Sequence, residues 1–415
     1  MDHTKRKNGI HIFDRYNKYA MNELLSDRIN KLGESQTIAM SNRSREMKAE
    51  GIDVISLSLG EPDFNTPDFI KDAAHQAIRD NYSHYPPVPG YGPVRESISK
   101  KFERDNNLKY KPNQIVVSTG AKQSLMNVVL SLVNSGDEIV LPTPYWVSYE
   151  AMAEMAEAKT VLIPTSIDND YKVKADELRS YLSPKSKLLM FSTPCNPSGS
   201  VYTQAELESL AEVIEEYPNL YVISDEIYEH INFTGNHFSI GSIKSISDRV
   251  ITVNGVSKSY AMTGWRIGYI GAPEWIAKAA TKMQGQFTSG ANGIAQMAAK
   301  AAIDADPSVT YEMRDRFLHR RNLMIQLLGE IDGFRINEPQ GAFYLFPDVS
   351  DILNTEFKGV TIDSTSDLSM YLIEHAHVAT VPGSAFGSPQ CLRLSYAASD
   401  DVLEEALSRI AKALS

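Results

Sequence analysis

Cysteine is nearly absent from this chain: only Cys195 and Cys391 occur, too few for a disulfide framework and without the CxxC or Cys/His spacing of a zinc site. A reducing cytoplasm suits such a protein, and no metal is expected. Long apolar runs are missing too. No stretch approaches the roughly 18 residues needed to cross a bilayer, and residues 1–20 mix Lys, Asp and Arg without an apolar core of signal-peptide length. A membrane is therefore not an expected partner. Positive charge is in deficit, with 41 Lys and Arg against 52 Asp and Glu, a net charge of -11, and no basic run interleaved with aromatics. That balance argues against nucleic acid as a partner. Internal repeats and low-complexity tracts are lacking as well, which leaves no collagen-like or disordered signal.

What is present is an ordinary globular composition, 42% hydrophobic and 22% charged, over 415 residues. That length exceeds what one hydrophobic core usually supports, so a large domain, a smaller one and a cleft between them are expected. From about residue 112 to 270, short β-rich runs alternate with longer helical patterns such as Gln204 to Glu216. The runs are Ile115 to Ser118, Glu138 to Leu141, Leu188 to Ser192, Tyr221 to Ser224, Val250 to Val253 and Ile267 to Gly271. Such alternation indicates an α/β fold with a mainly parallel sheet covered by helices. After residue 308 comes a long charged helix with apolar positions at Met313, Phe317, Met324, Leu327 and Leu328, then Gly341 to Phe346 and a C-terminal helix. The expected division is an extension at 1–20, an N-terminal arm and part of the small domain at 21–64, a large domain at 65–307, and a small α+β domain at 308–415.

Several segments carry residues suited to one ligand. The apolar run Val250 to Val253 leads through a small-residue turn to Ser257 and Lys258. A lysine amine attacks an aldehyde only when positioned and deprotonated, and a strand end beside a cationic cofactor supplies both conditions. Alone, Lys258 reads as a solvated charge. Eight residues on, Arg266 in Thr263-Gly264-Trp265-Arg266 is close enough to reach the same pocket and to grip a phosphate in bidentate fashion. The run Tyr221 to Ser224 delivers Asp225 at its C-terminal end, the edge of an α/β sheet where ligands bind. A carboxylate there can hold a pyridinium nitrogen protonated, and Tyr228 can meet the ring's phenolic oxygen. Gly120, between Ile115 to Ser118 and the helical pattern from Leu125, marks a helix start whose free N–H groups suit a phosphate. Pro194-Cys195-Asn196-Pro197-Ser198-Gly199 presents the Asn196 amide, and Arg393 stands among apolar neighbours in Cys391 to Tyr396, where it wants a carboxylate partner. A structural ion pair would satisfy Arg393 equally well.

In this order and spacing the segments closely resemble the class I/II aminotransferases of pyridoxal 5′-phosphate (PLP) fold type I, and among them the aspartate aminotransferase Iβ group. The stretch Ser257-Lys258-Ser259-Tyr260-Ala261-Met262-Thr263-Gly264-Trp265-Arg266-Ile267-Gly268-Tyr269 is the specific part of the likeness, which runs from about Met21 to the end. The resemblance implies a seven-stranded, mainly parallel sheet in the large domain. It implies that Lys258 carries PLP and moves the substrate proton, that Asp225 pairs the ring nitrogen, and that Tyr228 and Asn196 bond its phenolate oxygen. Trp146 would stack on the ring. Arg266, Ser257 and the Gly120, Ala121 and Lys122 segment would hold the phosphate, with Tyr85 reaching the phosphate of a neighbouring subunit and so implying a homodimer with shared sites. Arg393 and Gly60 would bind the substrate α-carboxylate, beside Trp146 and Asn196. Lys122, Ser35 and Thr37 would read the distal carboxylate of a dicarboxylic substrate. Gly255 departs from relatives that carry a phosphate-binding serine there.

The expected activity is transfer of an amino group from L-aspartate to 2-oxoglutarate by a ping-pong route. Prephenate to arogenate, another aminotransferase substrate pair or a β-lyase reaction fits the same cofactor set. A PLP-binding regulator is a remote alternative, since the 20 to 60 residues ahead of the core contain no basic recognition-helix pattern.

Overall fold

The computed structural model describes residues 24–33 and 35–415; the expected extension at 1–20 lies outside the described residues, as do 21–23 and Glu34. Of the unit Met1–Glu34, the described part is one short exposed helix, Asp27–Lys31, whose N-cap Ser26 accepts from the Ile29 amide.

Within Ser35–Ser415 the described strands number fourteen. They are β1 (Ile55–Ser56), β2 (Ile115–Ser118), β3 (Glu138–Pro142), β4 (Lys159–Ile163), β5 (Ser186–Ser192), β6 (Tyr221–Asp225), β7 (Val250–Gly255), β8 (Gly268–Gly271), β9 (Tyr344–Leu345), β10 (Thr355–Phe357), β11 (Val360–Ile362), β12 (Val378–Ala379), β13 (Val381–Pro382) and β14 (Leu392–Ser395). Seven of them form one sheet in the order β2-β8-β7-β6-β5-β3-β4, parallel except for β8, which runs antiparallel to both its neighbours. The mainly parallel seven-stranded sheet expected from the sequence is therefore present. The β-rich runs correspond to β2, β3, β5, β6, β7 and β8. Edge strand β4 was not anticipated, because Lys159 and Thr160 at its start leave it without the apolar density of the inner strands.

The inner strands are buried on both faces, and alternate residues enter different cores, as a period of two requires. Val116, Ile139, Leu141, Leu188, Met190, Ile223 and Ile251 pack on one face with the helices Ala121–Leu132 and Glu274–Phe287. On the opposite face Val117 packs with the helices Gly92–Asn106 and Gly293–Asp304, while Val140, Leu189 and Val222 meet the helix Gln204–Glu215.

A further core gathers the helices Tyr311–Gly329 and Asp400–Ala413 around the antiparallel set β13-β14-β9. Met313, Phe317, Met324 and Leu328 are buried in it as expected, and Leu327 partly so. Arg320 and Arg321 are buried on the same helix, which its charge pattern did not announce. Arg320 forks onto Asp63, with Nη1 on Oδ1 at 2.7 Å and Nη2 on Oδ2 at 2.9 Å. That pair ties the Gly60 to Asp63 segment to the helix. The helix Gln36–Ala49 buries Met40 and Met47 against Ile373 and Ala379, and β1 pairs in parallel with β12.

Candidate active site

The loops leaving the C-terminal ends of the parallel strands β2, β3, β5, β6 and β7 converge on one cavity of about 260 Å³. Such an edge is where an open α/β sheet binds ligands, because chain reversals leave a crevice there. Every residue named above as a site candidate lines this cavity except Gly120 and Tyr85. Gly120 stands directly behind the wall. Its φ is +82°, and a Cβ on it would collide with the Arg266 guanidinium, so glycine is what lets the arginine lie across the helix start. Tyr85 lies outside, 94% exposed.

Lys258 follows β7 and sits at the centre. Its Nζ donates to the Gly60 carbonyl at 2.5 Å and is 5.8 Å from the Tyr228 ring centroid. Burial drives its pKa down to about 8; Arg266 and Arg393 add to the effect, and Glu61 and Asp225 oppose it. Asp225 ends β6 and is 4% exposed. Its Oδ2 accepts from the Tyr149 hydroxyl at 3.0 Å and its Oδ1 from the Ile227 amide at 3.3 Å. Burial nevertheless pushes its pKa up to about 6 against those two hydrogen bonds. No described lysine or arginine forms a salt bridge with it, so a cation arriving at this carboxylate would relieve the strain of ionising it.

Arg266 and the amides of Ala121 and Lys122 face the cavity at the start of the helix Ala121–Leu132, where backbone N–H groups have no partner within the helix. Arg266 holds an unusual left-handed φ of 58°, and its Nη1 donates to the Thr263 carbonyl at 2.8 Å. Gly255 stands in a tight place, since a Cβ would lie 3.0 Å from Gly268 Cα, Ile227 Cδ1 and the Ile267 oxygen, so a serine there would need these neighbours to give way.

Arg393 on β14 is 2% exposed and makes no salt bridge with any described carboxylate, so the structural ion pair considered from sequence is not formed. Its Nη1 donates to Asn196 Oδ1 at 3.1 Å and its Nη2 to the Ser58 carbonyl at 2.7 Å, while its Nε is buried without a partner. A buried guanidinium without a carboxylate beside it suits an anion. Lys122, also in the lining, holds its Nζ 4.9 Å from the Trp146 ring centroid, and desolvation there, with Arg266 nearby, lowers its pKa. Among the described residues Thr37 Oγ1 is buried without a hydrogen-bond partner, and Ser35 lines the same cavity.

These features fit PLP demand by demand: an amine for an aldehyde, a carboxylate lacking a cation for a pyridinium, a hydroxyl and an amide for a phenolate, and a helix start with an arginine for a phosphate. Eight lining residues were not among the candidates, and two of them, Tyr149 and Tyr344, hydrogen-bond to candidate residues. Tyr149 lies three residues beyond Trp146, and Tyr344 lies in the apolar run Gly341 to Phe346. A tyrosine inside an apolar run was the available signal, because a buried hydroxyl needs a partner.

Away from the cavity, Asp105, Glu229 and His230 bring ligand-type atoms together, as do Glu226, Glu229 and His237. A cation already serves them. Lys101 Nζ contacts Glu229 directly and Asp105 at 3.6 Å, and Asn106 Nδ2 donates to Glu229 at 2.6 Å. Burial opposes the charge of Glu229, but Lys101 and the two imidazoles override it and hold its carboxyl down at about 2.

Comparison with known proteins agrees with this geometry. A family model described as aminotransferase class I and II matches residues 52–410. A bifunctional aspartate aminotransferase and glutamate/aspartate-prephenate aminotransferase from Petunia hybrida is 44% identical, over 99% of this chain and 87% of its own length. The aspartate aminotransferase of Bacillus subtilis is 42% identical over 93% of this chain and 98% of its own. Among solved structures, the aspartate aminotransferase from Rhizobium meliloti superposes with a TM-score of 0.91 at 39% identity, covering 94% of this chain and 98% of that one.

Proposed function

Because this chain belongs to the class I and II aminotransferases, we propose that it moves an amino group from L-aspartate to 2-oxoglutarate, with PLP bound at Lys258. The observation that carries this reading is the presence of two cations in the lining of one cavity, neither of them in a salt bridge with a described carboxylate: buried Arg393, and Lys122 beside Trp146. Arg393 takes the α-carboxylate common to all amino donors. Lys122, with the unpartnered Thr37 hydroxyl and Ser35, takes a second carboxylate.

PLP supplies an aldehyde and an electron-withdrawing ring that accepts the electron pair left when a substrate Cα loses its proton. The chain's residues do the rest. Lys258 Nζ, held partly neutral near pH 7 by its burial, takes the proton from the substrate Cα. Asp225 would hold the ring nitrogen, and Tyr228 would bond the ring oxygen. Asn196 has its carbonyl oxygen committed to Arg393, which leaves its NH2 to donate to that oxygen as well. Arg266, Ser257 and the amides at the start of the helix Ala121–Leu132, behind Gly120, hold the phosphate.

Tyr85 lies in solvent, outside the cavity that the other candidates line, and this supports a homodimer in which it completes the partner's site. We assign the arm and small domain to residues 21–64 and 308–415, the large domain to 65–307, and the enzyme to the cytoplasm. Among the described residues no helix is long and apolar enough to cross a membrane. The second reading, prephenate as amino acceptor, draws on the same Lys122 and Thr37, and relatives of both kinds of name match this chain. Incubation with aspartate and 2-oxoglutarate should yield oxaloacetate, with Lys122→Ala raising KM for both; absence of turnover would refute the assignment.

A further inference from the structure

Tyr344 on β9 is fully buried and lines the cavity beside Arg393 on the adjacent strand β14. Its ring lies under the arginine, with the guanidinium carbon 4.7 Å from the ring centroid, and the Phe386 ring stands 5.0 Å from the same carbon. Two aromatic faces thus serve a guanidinium that has only an amide oxygen, a backbone carbonyl and no carboxylate as partners. A desolvated cation gains substantially from such faces, and a planar group resting on a ring has its orientation fixed by it. At its other end, the Tyr344 hydroxyl is 2.9 Å from the Tyr228 hydroxyl. It also lies over Gly60, where a Cβ would run into it, so the glycine makes space for the tyrosine.

We propose that Tyr344 is a positioning residue with two separable parts: a ring that holds Arg393 charged and oriented for a carboxylate, and a hydroxyl that orients Tyr228 toward the cofactor. This rests on the reading that Arg393 binds the substrate α-carboxylate. Burial keeps the Tyr344 hydroxyl protonated, so it has one proton to give. Either hydroxyl can donate in this contact; with the proton given to the Tyr228 oxygen, the Tyr228 hydrogen is free to donate elsewhere, and a hydrogen-bonded chain strengthens its last donor.

Two substitutions separate the parts in cofactor-loaded protein. Tyr344→Phe keeps the ring and removes the hydroxyl; Tyr344→Met keeps the volume and removes both. Succinate, an unreactive dicarboxylate, reports on Arg393 through its dissociation constant. For Tyr344→Met this constant and KM for both substrates should rise about ten- to thirtyfold, the order expected for a buried cation–π contact, with kcat changed less than KM. Tyr344→Phe should bind succinate within about twofold of the parent, the ring contact being retained. Its absorbance–pH titration should shift upward, since the ring oxygen loses part of its donor. If Tyr344→Met fails to fold, Tyr344→Phe alone still tests the hydroxyl. Parent-like succinate binding by Tyr344→Met, or an unmoved titration of Tyr344→Phe, would overturn the inference. Arg393→Lys separates the two levels of argument: tenfold weaker succinate binding in that variant beside an indifferent Tyr344→Met refutes the inference alone. Parent-like binding by Arg393→Lys refutes the reading of Arg393 and the inference with it.

Discussion

Replacing Tyr149 by phenylalanine removes one hydroxyl from a fully enclosed place. The side chain is 1% exposed, and its O–H is the only side-chain donor to Asp225 among the described residues, at 3.0 Å from Oδ2. A hydrogen bond to a charged group is worth about 1.5–3 kcal/mol when its partner is buried. Removing it favours the protonated carboxyl by that amount, which raises its proton affinity about ten- to a hundredfold. Asp225 starts from a pKa of about 6, already lifted by burial. In the variant its titration therefore moves to neutrality or above, and at pH 7 half or more of the empty sites offer a neutral acid to the pyridinium nitrogen. The assay is cofactor affinity of the apo-protein, by equilibrium dialysis between pH 5 and 9. The parent should bind more tightly as pH rises through 6 and then level off. Tyr149→Phe should show the same rise displaced upward, with affinity near pH 7 reduced about two- to tenfold. An undisplaced profile in a folded variant would refute the role given to Tyr149.

Asp225→Asn should cost the enzyme its activity and yet stabilise the apo-protein above pH 6. The folded pKa of about 6 exceeds the ordinary 3.8, so the contribution of Asp225 to stability is present below 3.8 and lost as pH rises through 6. The asparagine removes a loss of up to about 3 kcal/mol, which thermal or urea unfolding of the apo-form at pH 5 and 8 would reveal. Lys258, with its pKa near 8, should give a rate of cofactor attachment that rises about tenfold from pH 7 to 9 as the neutral amine accumulates; a flat rate, followed by absorbance, would contradict this. Gly255→Ser should destabilise the protein by about 1–3 kcal/mol through overpacking and leave cofactor affinity no tighter. Tighter binding at unchanged stability would show that the position has room for the serine.

That the candidate residues would gather at one place was legible in the sequence, for a physical reason. Strand ends of a parallel sheet share one edge, so Asn196, Asp225 and Lys258, each just past an apolar run, had to lie near one another. Side chains that act through contacts between distant segments were not legible. Tyr149 and Asp225 are 76 residues apart and Tyr228 and Tyr344 are 116 apart, and a tyrosine in an apolar stretch reads as core until its hydroxyl has a partner. Edge strand β4 was missed because one exposed side dilutes its apolar pattern. The sequence placed Arg393 among apolar neighbours but left open an internal ion pair, and only the packing of β14 excludes it. Tyr85 shows the converse: its expected partner is a second subunit, so one chain leaves it in solvent.

The central claim, that this cavity loads PLP on Lys258 and exchanges amino groups with dicarboxylic amino acids, is tested most directly by absorbance of the loaded protein. Aspartate and glutamate, added separately, should each convert the spectrum to that of the pyridoxamine form, and Lys258→Ala should show no catalytic turnover. A spectrum indifferent to both amino acids, or undiminished turnover without Lys258, would contradict the account.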